Sequence, residues 1–166
     1  PKVRLGLLCG KLEDAFATAF RQVVLTRFEQ KLHRARRDEG ELTSDRIGEL
    51  WLDENRPMHG DAVDLTPNYT HWWMYIPHFV HSPFYCYAYA FGELLVLALY
   101  QKYRETGANF VPRFMEFLSS GGSESPQVLV ERLGVDLSDP GFYEGGIGIL
   151  RTMVEEAESL RGADAG

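Results

Sequence analysis

Apolar positions along this 166-residue chain recur every three or four residues for most of its length, the period of helices that bury one face. Phe16, Phe20, Val24, Phe28 and Leu32 fall on one stripe, which predicts a helix of about seven turns starting near Lys11. Its ends agree with that reading. Glu13 and Asp14 stand in the first turns and Arg34, Arg36 and Arg37 in the last, where a helix macrodipole favours them, and Gly40 closes the helix. Thr43-Ser44-Asp45 offers N-cap chemistry for a shorter second helix that carries Ile47, Leu50 and Trp51 and ends by Pro57. Met58 to Asn68 keeps no period and reads as loop.

From His71 the chain turns aromatic, and Pro77 biases Ile76 away from helical geometry, so His78 is expected just after a bend. Ser82-Pro83 then resembles an N-cap followed by proline at the first helical position. The run from Phe84 to Tyr103 has no polar face, so it is expected to be a helix buried on all sides. Glu105-Thr106-Gly107 stops it. Phe110, Phe114, Phe117 and Leu118 mark a short helix ending at Gly121-Gly122, and Ser125-Pro126 opens another that ends before Gly134. Asp139-Pro140 starts the last stripe, Phe142 to Leu160, with a frayed tail from Arg161. No repeat or interdomain linker is visible. The expectation is a single all-α unit over residues 1–166, a multi-helix bundle.

Composition narrows the partners. A net charge of −7 argues against nucleic acid and anionic membrane surfaces, and the basic cluster at Arg34–Arg37 is explained as a helix end. Phe84 to Tyr100 falls short of the roughly 20 apolar residues of a membrane span and carries Glu93, so a buried helix is expected there. Cys9 and Cys86 lack CxxC spacing and sit among apolar residues. Both read as reduced core cysteines of a cytoplasmic protein.

The chemistry concentrates in His78-Phe-Val-His-Ser-Pro-Phe-Tyr-Cys-Tyr-Ala-Tyr89. A core that needs only volume prefers aliphatic residues, because each buried phenol or imidazole must find a partner or cost about 1–3 kcal/mol. These groups either hydrogen-bond core carbonyls or meet a ligand. Phenols and an imidazole aimed at one point suit the oxyanion of a tetrahedral intermediate. On a helix Tyr85 and Tyr89 share a face, with Tyr87 nearly opposite. The chain has no HExxH, Gly-rich phosphate loop, GxSxG or zinc-spaced cysteine pair. His78 and His81 lack a carboxylate at a spacing that would complete a metal site, so none is expected here. His59 and His71 are lone histidines with no spaced partner.

The stretch Ile76-Pro-His-Phe-Val-His-Ser-Pro-Phe-Tyr-Cys-Tyr-Ala-Tyr-Ala-Phe-Gly92 resembles a block of oligoendopeptidase F, in the M3 family of zinc metallopeptidases, where Pro-His-Phe precedes a Tyr-x-Tyr-x-Tyr-Ala run. Phe20-Arg21-Gln22 with Phe28-Glu29, Leu118 to Leu137, and Asp139-Pro140 are similar to later parts of that family's fold. The resemblance implies the C-terminal half of a zincin-like helical peptidase fold, a C-terminal part of a catalytic domain without the upstream HExxH helix. The intact enzyme would be a zinc-dependent metalloendopeptidase in which zinc-activated water attacks short peptides within a deep cleft. Its zinc ligands would be absent from this chain, which alone would be inactive. By resemblance His78 and Tyr87 are catalytic, Tyr87 as the oxyanion donor, and Tyr85, Tyr89 and His81 contact substrate. The implied partners are short peptides and the missing N-terminal part of the same polypeptide, and apolar surface left open by that part would lead the fragment to self-associate. The competing reading is a non-enzymatic helical binding or interaction module with an aromatic pocket or a Trp72-Trp73 contact surface.

Overall fold

The computed structural model describes Lys2–Ala163, and every regular element among the described residues is helical. The chain divides into two compact units, Asp14–Phe91 on the one hand and the residues up to Glu13 with those from Gly92 on the other. Helices α1 (Lys2–Thr18) and α5 (Tyr87–Thr106) each contribute residues to both.

In the unit Asp14–Phe91, the expected first helix is two. α1 begins at Lys2, well before Lys11, and Ala19, at φ −89° and ψ −71°, separates it from α2 (Phe20–Glu39). The ladder nearly survives the break, since Ala19 N–H still reaches the Ala15 carbonyl at 2.8 Å. α3 (Ser44–His59) is capped as expected, Thr43 accepting the Arg46 N–H through its side chain. It passes Pro57 and closes only where Gly60 N–H bonds the Arg56 carbonyl. A 3₁₀ segment, Pro67–Tyr75, lies against α3, and the one-turn helix α4 (His78–His81) follows.

The core of this unit is the face where α2 meets α3. Phe28 is wholly buried, edge-on to Trp51 with ring centroids 5.1 Å apart, and touches Phe79 at 5.2 Å. Burying such a ring contributes about 1.5–3 kcal/mol. Leu25, Ala35, Leu50, Ile76 and Cys86 complete the cluster. Buried Asn55 is satisfied on both sides: it donates to the Trp51 carbonyl and accepts the Tyr69 hydroxyl. Gly48 lets the 3₁₀ segment approach α3, because a Cβ there would stand 2.1 Å from Thr70 Cγ2.

In the other unit, Leu99, Phe110, Val130, Leu133 and Val135 form the core. α6 (Val111–Ser120), α7 (Pro126–Glu131) and α8 (Pro140–Ala163) start and stop close to the predicted signals, with Ser125 capping α7 through the Val128 N–H. Arg161–Ala163 remain helical, and the residues of the expected tail beyond them lie outside those described. α8 crosses α5 at Gly146, whose missing Cβ leaves room for backbone atoms of Leu94 and Ala98.

Three further expectations are corrected. α5 is not buried on all sides: Val96, Tyr100 and Tyr103 are exposed and, with Leu99, Phe110, Val111 and Phe114, line an apolar groove of about 340 Å³. It also starts later than Ser82-Pro83 suggested, at Tyr87. Cys9 is exposed, in a stretch of α1 whose Val3 and Leu7 are also open, whereas Cys86 is buried as expected. Among the described residues no helix is long and apolar enough to cross a membrane.

Candidate functional site

The His78–Tyr89 stretch folds as α4, a turn, and the first helical turn of α5. The turn brings His78 of α4, Tyr85 of the turn and Tyr89 of α5 into ring contact. His78 Nε2 lies 3.0 Å from the Tyr89 hydroxyl oxygen. The rings meet edge to face at 5.5 Å, while Tyr85 stacks parallel to His78 at 6.4 Å and edge-on to Tyr89 at 5.4 Å. His78, Tyr85 and Tyr89 therefore form one continuous aromatic face that carries two phenolic hydroxyls. Tyr85 and Tyr89 are both exposed, 50 % and 39 %, so the face is open to a ligand.

Tyr87 stands apart. Its ring is 59 % exposed, and among the described residues it makes no aromatic contact with this face and no hydrogen bond. That follows from helix geometry, since residues two apart point to nearly opposite sides. His81 ends α4, exposed, and is likewise outside the face. Trp72 is exposed and Trp73 half-buried, with the Trp73 indole N–H buried and without a partner among the described residues.

The same unit holds polar chemistry that sequence reasoning did not assign. Glu29 of α2 is only 1 % exposed, and its Oε1 accepts the N–H of Phe84 at 2.8 Å, 55 residues away. The one available signal was a carboxylate among apolar positions of its helix, beside Phe28 and four residues from Leu25. Phe84 itself has φ +60°, the left-handed region that a bulky residue rarely occupies. Burial pushes the Cys86 thiol above its ordinary value, and the Glu29 charge adds to the rise. Burial also raises the Tyr69 phenol, against a smaller opposing effect of Arg21. The Gln22 Oε1 is buried with no hydrogen-bond partner among the described residues.

Among the described residues no group of three or more His, Cys, Asp and Glu could hold a metal ion. The hydrogen-bonding groups of the His78 face can orient and polarise a carbonyl, and among the described residues nothing in the set supplies a zinc site.

The model of peptidase family M3 matches residues 6–149. The chain is 30 % identical to oligopeptidase PepF of Bacillus subtilis over 159 residues, 96 % of this chain and 24 % of that protein. It is 29 % identical to the plasmid oligoendopeptidase F of Lactococcus lactis subsp. cremoris, covering 96 % and 26 %. The crystal structure of oligoendopeptidase-F from Enterococcus faecium superposes with a TM-score of 0.89 at 26 % identity, covering 98 % of this chain and 31 % of that one. The chain thus spans about a quarter of the length of the curated relatives it matches.

Proposed function

Because this chain belongs to peptidase family M3, we propose that it forms one wall of the peptide cleft of a zinc-dependent metalloendopeptidase that hydrolyses short peptides. The observation that carries the proposal is the open face of His78, Tyr85 and Tyr89, with the His78 ring holding the Tyr89 hydroxyl at 3.0 Å. In this reading the metal and its ligands come with further polypeptide of the same protein, and the 166 residues alone are inactive. The chain contributes positioning and hydrogen bonding. Two free cysteines support a reducing compartment, the cytoplasm.

Which phenol serves the oxyanion turns on preorganisation. A donor fixed before reaction avoids the cost of orienting it when charge develops. Tyr89 has that fixation. When His78 Nε2 carries its proton, it donates to the Tyr89 oxygen and leaves the Tyr89 proton free for the substrate oxyanion. The opposite tautomer would take that proton for itself, so the reading requires the Nε2–H form. Tyr85, stacked beside them, would offer its ring and hydroxyl to the bound peptide, and exposed His81 is a further candidate for substrate contact. Tyr87 is the competing donor, favoured by the family resemblance and by an exposed hydroxyl with no partner among the described residues.

The test uses the whole polypeptide and short internally quenched peptides. Hydrolysis that stops on removal of zinc and returns on its addition, with folded proteins left intact, is the expected result. Failure to cleave any short peptide in the zinc-loaded state would overturn the proposal.

A further inference from the structure

We infer that Glu29 is a positioning residue for the His78–Tyr89 pair, acting through the backbone of Phe84. This rests on the reading of that pair as the oxyanion side of the cleft. His78 sits on a helix of four residues without a side-chain cap, and Tyr89 in the first turn of α5, so the segment 82–86 sets the distance between them. Within that segment Phe84 is the one non-glycine residue at positive φ among the described residues. Such an outlier persists only where its surroundings hold it. Here α2 holds it twice: Glu29 Oε1 accepts its N–H at 2.8 Å, and the His33 ring packs on its side chain at 4.7 Å. Glu29 and His33 are four residues apart on α2 and so share one face.

The choice of residue supports a role beyond packing. Glu29 stands beside Leu25, Phe28 and Leu32, where an aliphatic side chain could be buried but would leave the Phe84 N–H without its acceptor, and its Oε2 has no partner among the described residues. A buried carboxylate is costly to the fold. What it gives in return is a fixed turn that lets the imidazole of α4 reach the phenol of α5.

The proposal has a kinetic and a spectroscopic arm. In the whole polypeptide, Glu29→Leu lowers kcat about ten- to a hundredfold with KM nearly unchanged, the loss expected of a misplaced group. Glu29→Gln keeps an acceptor for the Phe84 N–H and restores most of the rate. In a Phe84→Gly background, where the left-handed turn carries no Cβ penalty, the same Glu29→Leu change costs only about twofold, because the residue it acts through is no longer strained. Equal losses in both backgrounds, or an unchanged kcat, would overturn the proposal. In the 166-residue chain, long-range ¹H–¹⁵N spectra of the His78 ring read the contact without any turnover. The Nε2 signal moves on Glu29→Leu and stays on Glu29→Gln. That arm decides even if the protein proves not to be a peptidase, and an unmoved signal overturns the inference. His33→Ala removes the other hold from a half-buried position and serves if Glu29→Leu does not fold. It shifts the same signal in the same direction, and no shift would count against the inference.

Discussion

Removing the Tyr89 hydroxyl is the perturbation whose size the structure constrains best. Tyr89→Phe keeps the ring, and with it the edge contacts to Tyr85 and His78, so only the hydroxyl is lost. One preorganised oxyanion donor contributes about 10²–10³ in kcat, or roughly 2.7–4 kcal/mol. Tyr89 is 39 % exposed, so water screens part of that effect and the lower end, about a hundredfold, is expected. KM should change little, because the bond strengthens only as charge develops on the carbonyl oxygen. His78→Ala removes the orientation but not the donor, so it should cost less. The double variant should cost about as much as Tyr89→Phe alone, since the two groups act as a unit. Steady-state kinetics on a quenched peptide with the whole polypeptide, with Tyr87→Phe run in parallel, give all four numbers. A hundredfold loss in Tyr87→Phe with Tyr89→Phe near wild type would refute the assignment and move the donor to Tyr87. Additive losses for His78 and Tyr89 would refute the pairing.

Other outcomes follow from the same coordinates. Phe28→Ala should destabilise the fold by about 3–5 kcal/mol in urea titrations, because the ring is wholly buried between Trp51 and Phe79. Gly146→Val should cost about 1–3 kcal/mol, since its side chain would press on α5 backbone that cannot rotate away. A thiol reagent near neutral pH should label exposed Cys9 and spare Cys86 until the chain unfolds, as read by intact mass. The raised Cys86 value also fixes a sign. The folded state holds that proton more tightly than the unfolded one, so this contribution to stability is complete below the ordinary thiol value of about 8.5 and is lost as pH rises through the folded value.

Local signals were enough for most element ends. Thr43 and Ser125 cap through their side chains, and α5 stops at Thr106 before Gly107. The failures have long-range causes. Ser82-Pro83 carries a sound local signature for a helix start, yet a carboxylate 55 residues earlier in sequence takes the Phe84 N–H, the residue turns left-handed, and the helix waits until Tyr87. No window of neighbouring residues contains that information. The all-apolar run of α5 was read as buried because burial is the usual reason for such a run, but periodicity counts apolar residues and does not say what covers them. In the candidate site, helical spacing grouped Tyr85 with Tyr89, and the two rings do meet, but Tyr85 precedes the start of α5 and reaches Tyr89 from the turn rather than from the same helix. The reach of His78 to Tyr89 depends on the fold of the intervening turn and was not.

The central claim is that these residues supply a hydrogen-bonding wall while the metal is held elsewhere in the protein. Its most direct test is metal analysis and peptide turnover of the purified 166-residue chain beside the whole polypeptide. The account predicts zinc and turnover in the whole polypeptide, with the chain alone holding no zinc near one ion per molecule and cleaving nothing. Stoichiometric zinc in the chain alone, or peptide cleavage by it, would contradict the account.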